Sequence, residues 1–546
     1  MLRKTSRLMG FILLFSAFAA CAPVANQEAE EMEPTPMPTA VTVDTLWFAP
    51  YLPDPLVADF QLPENAVSTA DRSAADILVD VGADQVIAQW TYALVAPFPT
   101  VTDEISFSAL KSFWAGDEPV GFPAAGLLVD GGTMGVLEKL WGMASSAHVR
   151  VVSRDQLLSR SWEEMDTWAI IPFEQLQPRW KVIALDGQSP VRKDFNPQSY
   201  PLQIPFSLVG SPQTVAGLLE RMEQMDGAAS LPLVNRDPAK MTTVMLTGVT
   251  ALVRGTAWLM ELNGMTYPAR DLGDILRGAD ILHINNEVTF SERCPNPFTD
   301  RAKEAMLIFC SKPRYIELLE SIGTDVVELA GDHLDDWGTD AMLNTIAMYE
   351  ERGWQYYGGG KDLQDGLQPA LFEHNGNRIA FLGCNMGKIP SYSRASDTQP
   401  GAVHCDFDLM VGQIKNVLAE GYNPIFTFQH VEYYAYGAHP RVAPDFRTVA
   451  DAGALIVSGS QAHQPHTFEF YRDAFIHFGL GNLFFDQYYE GYNTRQAFID
   501  VHVFYGNRHI STELITILFE DLARARLMTP EEREDLLQTV FTAGGW

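Results

Sequence analysis

The sequence predicts an α/β protein in which strands alternate with helices over most of the chain. Between about residues 241 and 515, short apolar runs typical of buried strands alternate with amphipathic runs of helical length. This alternation favours a largely parallel sheet covered on both faces. A similar but less regular pattern, punctuated by Gly- and Pro-rich turns, runs from about residue 45 to 235. The 546 residues, 47% of them hydrophobic, suffice for more than one such domain.

The first 21 residues differ from the rest of the chain. Three basic residues precede the apolar run LMGFILLFSAFAA, which ends at Cys21. This pattern is typical of a secretion signal, and the run is too short for a stable membrane span. The segment FAAC resembles a bacterial lipobox, whose Cys is lipid-modified; Phe18 is unusual there, and a plain signal peptide is the alternative. We expect an extracytoplasmic protein, anchored to the bacterial cell membrane by a lipid on Cys21.

Composition divides the remaining chain into four parts. Residues 22–44 are acidic and rich in Pro and Thr, which predicts a flexible tether. We place a first α/β domain at residues 45–238, a second at residues 239–518 and a C-terminal helix at residues 519–546.

The elements of the second half can be assigned in order. We expect strands at TVMLTG, ADILHINNE, DVVELAG, PIFTFQH and ALIVSGS, and helices at DLGDILRG, YIELLESIG, LMVGQIKNVLAEG and FRTVADAG. The last helix is predicted at TPEEREDLLQTVF, where Thr529 is the N-cap, Pro530 lies in the first turn and Glu532 completes a capping box.

The chain is strongly acidic, with 69 Asp and Glu against 38 Lys and Arg and a formal net charge of −31. Such a surface argues against nucleic acid or anionic lipid as a partner. It would also repel an anionic polymer unless a metal ion or a local basic patch intervened. Solubility alone is the simpler interpretation of the charge.

Four cysteines follow Cys21, and an even number in an exported chain favours disulfides over free thiols. They allow three pairings, of which we favour the near-neighbour set, Cys294–Cys310 and Cys384–Cys405. A cysteine metal site is the alternative, but no CxxC spacing supports it.

Polar residues follow four of the five predicted strands of the second half. Ligands of open α/β sheets bind beyond the carboxyl ends of the strands, so these residues are candidates for one site. Carboxylates and imidazoles suit Mn, Fe, Zn or Mg, although loops are polar in any protein. The candidate residues are Asn285, Asn286, Glu287, Asp332, His333, His430, Glu432, Ser460, Gln461 and His463.

Six segments resemble, in order, motifs of the poly-γ-glutamate capsule-biosynthesis (CapA) family. ELAGDHLDDWG is similar to its LANNHALDYG turn, ADILHINNEV to ADLVVGNLE, and FQHVEYY to HWGxEY. QPALFEHNGNRIAFLG, SGSQAHQPHTFEF and HFGLGNLFFDQ also resemble family segments, and the likeness covers roughly residues 241 to 490. The resemblance implies a calcineurin-like metallophosphoesterase fold, a four-layer α/β/β/α sandwich.

The same resemblance implies roles for individual residues. Asn286 or Glu287 would bridge two metal ions, Asp332 would be a ligand, and His333 would donate a proton to the leaving group. The later imidazole ligands would be His430 and His463. A pair of divalent ions held in this way binds the attacking and leaving oxygens and lowers the pKa of a bound water.

Departures from the family pattern leave activity open. The first strand normally ends in Gly-Asp, but here Gly248 is followed by Val249, so one carboxylate ligand is missing. Ser460 and Gln461 replace a His pair, whereas Asp332 in place of Asn adds one anionic ligand. The site would hold one metal ion, two, or none.

Other polar residues have structural interpretations. Asp335 and Asp336 could cap the helix that begins near Thr339. We expect structural roles, at the surface or hydrogen-bonded in the core, for His283, His404, His439, His466 and His477.

The first half resembles part of a type-2 periplasmic solute-binding protein. The segments YALVAPFPTVTDEISFSALKSFWAG and TWAIIPFEQLQPRWKVIALDG carry the likeness. Gly131, Gly132 and Thr133 would then lie at a helix N-terminus, a natural anion site; a simple Gly turn is the alternative.

These observations predict an exported CapA-like lipoprotein that handles an anionic polymer such as poly-γ-glutamate during synthesis, export or attachment. Its partners would be that polymer or the capsule-export machinery, and any reaction would be metal-assisted hydrolysis or transfer. A non-catalytic polymer-binding scaffold and a solute receptor are the alternatives.

Overall fold

The computed structural model describes residues 43–225, 231–297, 307–387, 389 and 393–546. Within them, Asp44–Trp546 forms one compact unit. Cys21, the predicted signal segment and nearly all of the predicted tether lie outside the described residues. A search of the described ranges finds no helix with the length and apolar character needed to cross a membrane.

The first half is built around a sheet of eleven described strands with the order β2-β1-β3-β10-β4-β8-β6-β7, to which β5, β9 and β11 add at the side. The strands are β1 Asp44–Phe48, β2 Ala66–Ser68, β3 Ile77–Val81, β4 Val86–Pro97, β5 Glu104–Ile105, β6 Gly126–Val129, β7 Val149–Val151, β8 Thr167–Pro172, β9 Trp180–Leu185, β10 Gln203–Gly210 and β11 Leu233–Val234. The helices are α1 Asp54–Asp59, α2 Phe107–Ala115, α3 Gly131–Trp141, α4 Leu157–Glu164 and α5 Pro212–Glu223.

Strand β4 shows how this sheet is buried. Successive side chains of a strand point to opposite faces, so its apolar run packs on both sides. Tyr92 and Leu94 join an apolar cluster with residues of α2, α3 and α5. Val95, on the other face, joins Met241 and Val503 of the second half. The first sheet is therefore packed against the rest of the chain.

The second half contains two larger sheets and a small ribbon. The first sheet comprises β12 Met241–Thr247, β13 Val249–Thr250, β14 Ile281–Asn286, β15 Val326–Glu328, β16 Gln355–Tyr357, β25 Asn482–Phe484, β26 Gln496–Tyr505, β27 Arg508–Phe519 and β28 Ala525–Leu527. The second comprises β18 Ala370–His374, β19 Asn377–Asn385, β21 Asn423–Gln429, β22 Ile456–Gly459, β23 Phe468–Tyr471 and β24 Ala474–His477. Strands β17 Gly359–Gly360 and β20 Gly401–Ala402 form the ribbon. The helices are α6 Arg254–Asn263, α7 Gly273–Arg277, α8 Ile316–Ser321, α9 Thr339–Glu351, α10 Leu363–Gly366, α11 Phe407–Ala419, α12 Ala443–Ala452 and α13 Pro530–Gly544.

Three apolar clusters define four layers in this half. One joins the β12-containing sheet to α6–α9 and includes Leu282 and Ile346. Another lies between the two sheets and includes Leu246 and Phe381. A third joins the β19-containing sheet to α11 and α12 and includes Phe446. The α/β/β/α sandwich expected from the family resemblance is therefore confirmed.

The prediction of one largely parallel sheet with helices on both faces is wrong in detail. The five predicted strands divide between two sheets, with β12, β14 and β15 in one and β21 and β22 in the other. Helices α6–α9 cover one face of the first sheet and α11 and α12 one face of the second, and the remaining faces pack against each other with α13 at their edge. An apolar strand buried on both faces has the same sequence pattern whether a helix or a sheet covers it.

Two local predictions are confirmed. Helix α13 begins at Pro530 with the Thr529–Glu532 capping box. The disulfides join Cys294 to Cys310 and Cys384 to Cys405.

Candidate functional site

The carboxyl ends of strands from both large sheets meet at one cluster of polar side chains. Gln429 ends β21 in the second sheet, whereas Glu287 and Asp332 follow β14 and β15 of the first. The side-chain nitrogen of Gln429 lies 2.6 Å from Oε1 of Glu287 and 3.4 Å from Oδ1 of Asp332. It also donates to Oε1 of Gln461, which follows β22. We call Glu287, Asp332, Gln429 and Gln461 the strand-end cluster.

Glu287 is the most buried carboxylate of the strand-end cluster, with 2% of its surface exposed. Burial raises the pKa of Glu287 well above its usual range, and the neighbouring charge of Asp332 raises it further. The charge of His333 and the hydrogen bond from Gln429 act in the opposite direction.

His333 lies beside the strand-end cluster and is hydrogen-bonded to a carboxylate. Its Nδ1 donates to Oδ2 of Asp336 over 2.8 Å, and its Nε2 lies 3.9 Å from Oδ1 of Asp332. Burial alone would lower the pKa of His333, but the bond to Asp336 and the charges of Asp332 and Glu287 raise it to about 9. The imidazole is cationic at neutral pH and can hold a proton on Nε2, facing Asp332.

The interpretation of Asp335 and Asp336 as helix caps is not what the structure shows. Helix α9 begins after Gly338, and no side chain caps it. Asp336 instead accepts hydrogen bonds from His333 and from the backbone N–H of Phe309, the latter over 2.7 Å. This turn thus holds an acid–base pair, which is formed by His333 and Asp336.

His430 is turned away from the strand-end cluster. Its Nε2 lies 2.8 Å from Oδ2 of Asp445 in α12, and its Nδ1 accepts the backbone N–H of Val431 over 2.7 Å. Both ring nitrogens are therefore engaged. In the described structure, the hydrogen bonds of His430 go to Asp445 and Val431 and not to Glu287 or Asp332.

His463 is buried near Phe485, with the two ring centroids 5.1 Å apart. Its Nδ1 donates to Oδ1 of Asn482 over 2.9 Å. Burial lowers the pKa of His463, so its ring is neutral at pH 7; the charges of Glu432 and Asp332 act against this shift. A neutral imidazole with its proton on Nδ1 leaves Nε2 as the atom that can accept a proton or bind a ligand.

Asn286 faces the helix layer and not the strand-end cluster. Its side-chain nitrogen donates to the Tyr349 hydroxyl over 2.7 Å and to the carbonyl of Val288 over 2.8 Å. Asn285, one residue earlier, faces the opposite way and donates to the carbonyl of Ser460 over 2.7 Å. Alternation along β14 therefore places Asn285, and not Asn286, on the side of Glu287.

The place of the missing first carboxylate is apolar. Val249 is fully buried in a cluster that includes Val288, Phe309 and Phe485. A Cβ on Gly248 would lie 1.9 Å from the carbonyl oxygen of Gly481, so this strand end also packs backbone against backbone. The first strand contributes no metal-binding group here.

These donors do not fit a two-metal centre. In the ranges that the structure describes, no group of three or more His, Cys, Asp or Glu side chains is placed to hold a metal ion. The oxygens of Glu287 and Asp332 converge on an amide nitrogen, and His430 is occupied elsewhere. The metal-ligand roles of Asn286, Glu287, Asp332, His430 and His463 stay predictions.

Sequence reasoning missed a second set of polar contacts behind the strand-end cluster. The Ser460 hydroxyl lies 2.6 Å from Oε1 of Glu328 and 3.3 Å from Oε1 of Gln429. Glu328 is fully buried, and its other oxygen lies 3.5 Å from Nε2 of His283. The sequence did contain a sign of these contacts. Glu328 lies inside the apolar run DVVELAG, and a carboxylate buried in a strand needs a polar partner.

The anion site considered in the first half is filled by the chain itself. Helix α3 begins at Gly131, and its first turn is capped by Asp130, which accepts the backbone N–H of Thr133 over 2.7 Å. Arg154 donates to the other oxygen of Asp130 over 3.2 Å. The Asp130 carboxylate therefore lies where an external anion would bind.

Residues 243–487 match the model of a family described as bacterial capsule synthesis protein PGA_cap. The capsule biosynthesis protein CapA of Bacillus anthracis is 26% identical over 263 residues, which are 47% of this chain and 63% of that protein. The PGA biosynthesis protein CapA of Bacillus subtilis is 22% identical over 264 residues, which are 48% of this chain and 68% of that protein. The match therefore spans about two thirds of each relative.

Two solved structures are distantly similar. A putative 5′-nucleotidase from Staphylococcus aureus is 11% identical and has a TM-score of 0.33, with 55% of this chain and 58% of that one covered. A phosphate transport receptor from Vibrio cholerae is 13% identical and has a TM-score of 0.25, with 30% and 82% covered. Scores this low do not establish a shared fold.

Proposed function

We propose that the protein handles an anionic extracellular polymer of the poly-γ-glutamate kind, because residues 243–487 match the bacterial capsule synthesis protein family. Handling here means a step in the synthesis, export or attachment of the polymer, with the capsule-export machinery as a partner. The observation that carries the proposal is the strand-end cluster with His333 beside it, which lies within the matched residues.

The site has groups that can meet a polyanion despite the acidic surface. His333 is cationic at neutral pH, and the hydrogen bond from the Gln429 amide occupies one oxygen of Glu287. Asp332 remains as a carboxylate that repels a second carboxylate placed against it. An uncharged part of the polymer, such as its amide linkage, therefore suits the position beside Asp332 better than a side-chain carboxylate.

We also propose that the protein acts outside the cytoplasm, held to the membrane by a lipid on Cys21. The two disulfides support an oxidising compartment, because such bonds are rare in reducing cytosol. The Cys21→Ser protein should move from the membrane fraction to the soluble fraction. If it stays in the membrane fraction, another anchor holds it.

Turnover of the polymer would depend on His333, the group placed to give a proton to a leaving nitrogen or oxygen. A non-catalytic binding role is the second candidate, and the apolar cluster around Val249 favours it. Metal-assisted hydrolysis, expected from the family resemblance, stays a prediction; a search of the described ranges finds no group of three or more His, Cys, Asp or Glu side chains placed to hold an ion.

The test uses the full-length protein in detergent and poly-γ-glutamate of defined length. Binding is measured by calorimetry and cleavage or transfer by chromatography of the polymer, for the parent, His333→Ala and the matched control His439→Ala. His439 is partly exposed and lies outside the strand-end cluster. Products that only His333→Ala fails to make support turnover, and binding without products supports the scaffold. Absence of both binding and products would refute the proposal.

A further inference from the structure

The Gln429 amide occupies the position at which oxygens from three strand ends converge. Its nitrogen has two hydrogens and faces three acceptor oxygens, on Glu287, Asp332 and Gln461. Oxygens that converge in this way from separate loops are the usual surroundings of a divalent cation. Here they surround an uncharged N–H donor.

The orientation of this amide is fixed from behind. Gln429 is fully buried, and its own oxygen lies 3.3 Å from the Ser460 hydroxyl. Ser460 is in turn held by Glu328, over 2.6 Å. The Gln429 oxygen thus faces the Ser460 hydroxyl, and the nitrogen faces the carboxylates. A cation entering among these oxygens would have to displace that nitrogen.

The side chains that would bind a cation in its place are engaged elsewhere or absent. His430 uses both ring nitrogens for Asp445 and a backbone N–H. His333 donates to Asp336. Val249 presents an apolar surface within its cluster. Among the described side chains named here, oxygens and the Nε2 atoms of His333 and His463 remain, and Nε2 of His333 faces Asp332.

We propose that the Gln429 amide takes the place of a divalent cation in this site, where it binds Glu287 and Asp332 together, and that the protein works without a resident metal ion. Gln429 is thus a positioning residue for the two carboxylates. The inference rests on the proposed function only in taking the strand-end cluster as the functional site. Its test involves no polymer, so the two can fail separately.

The first measurement is the metal content of the full-length parent, purified without chelators from cells grown with added Mn²⁺ and Zn²⁺. We expect well under one ion per chain and no change of the melting temperature when either ion is added. One tightly bound ion per chain, or a melting temperature that rises with either ion, would overturn the proposal.

The second measurement uses two variants of Gln429. Gln429→Glu replaces the donor by a third carboxylate, so the melting temperature should fall without metal and rise when Mn²⁺ or Zn²⁺ is added, because an ion that binds only the native state stabilises it. Gln429→Met keeps the length of the side chain but lacks both donor hydrogens, and it should melt below the parent with or without metal. The control Gln198→Glu, at an exposed site in the first half, should behave as the parent does.

These variants also keep the proposal falsifiable if one of them does not fold. Should Gln429→Glu fail to fold, the metal content of the parent and the melting temperature of Gln429→Met still decide the question. If Gln429→Met melts at the parent's temperature, the amide does not hold the carboxylates together. If Gln429→Glu folds but gains no metal response, the cluster is not a position that a cation could occupy.

Discussion

Nδ1 of His333 donates to Oδ2 of Asp336 over 2.8 Å, and the two side chains come from one turn between β15 and α9. Asp336 is itself held in place by the backbone N–H of Phe309. The carboxylate therefore fixes both the orientation of the imidazole and its protonated state. His333 points its other nitrogen at Asp332, in the strand-end cluster.

Asp336→Asn should lower the pKa of His333 from about 9 by about one to two units, because an adjacent opposite charge raises a histidine pKa by that order. The measurement is an NMR titration of the imidazole Cε1–H. Asp335→Asn is the matched control, since Asp335 makes no hydrogen bond to His333 in the described structure. An unchanged His333 titration in Asp336→Asn would show that the pair does not set its charge.

Acid should destabilise the protein in part through His466. Burial lowers the pKa of His466 to about 4, while the carbonyls of Phe478 and Tyr433 act the other way. An unfolded histidine titrates near 6.5, so the unfolded chain takes up this proton first as the pH falls. The stabilisation is complete above about pH 6.5 and is lost as the pH falls toward 4, by up to about 3 kcal/mol.

The check on this prediction is urea unfolding at several pH values between 7 and 4.5. His466→Gln removes the titrating ring, so its unfolding free energy should fall less steeply with decreasing pH than that of the parent. His439→Gln, at a partly exposed site, should keep the parent's slope. Equal slopes for the parent and His466→Gln would assign the acid sensitivity to other groups.

Much of the fold could be predicted because local chemistry and tertiary structure agree. The Thr529–Glu532 capping box begins α13 as its spacing predicts. The cysteine pairs are close in sequence, and both form. The division of the strands into two sheets is not visible in their patterns, since a buried strand does not reveal what covers it.

The site was predictable to the level of the strand ends, but not to that of the side chains. Glu287, Asp332 and His333 do lie together, as their positions after strands suggest. Asn286 and Asn285 are adjacent, and only the start of the alternation in β14 decides which one faces the cluster. The role of Gln429 depends on contacts between two sheets, which no local spacing encodes.

Loss of the Cys384–Cys405 disulfide should destabilise the native state. The bond closes a loop between residues 21 apart in sequence. Opening a loop of this size lowers the free energy of unfolding by about 3 kcal/mol, mainly because the unfolded chain gains conformational freedom. Replacing both cysteines by alanine should lower the unfolding free energy by about that amount, measured with urea. Reductant should lower the stability of the parent but have a smaller effect on the variant. If the variant and the parent are equally stable, the disulfide does not stabilise the protein by restricting the unfolded chain.

Phe98 connects the first half of the chain to the second sheet of the sandwich. Its ring lies 5.1 Å from that of Phe470 and 5.4 Å from that of Phe475, both as edge contacts. Phe98→Ala should cost about 3–5 kcal/mol, since it opens a cavity in a close-packed core. It should also speed amide hydrogen exchange in β23 and β24, which these rings cover.

The control is Phe122→Ala, which removes a ring buried wholly within the first half. This variant should leave hydrogen exchange in β23 and β24 unchanged. If Phe98→Ala also leaves them protected, the second sheet does not depend on the first half for its order.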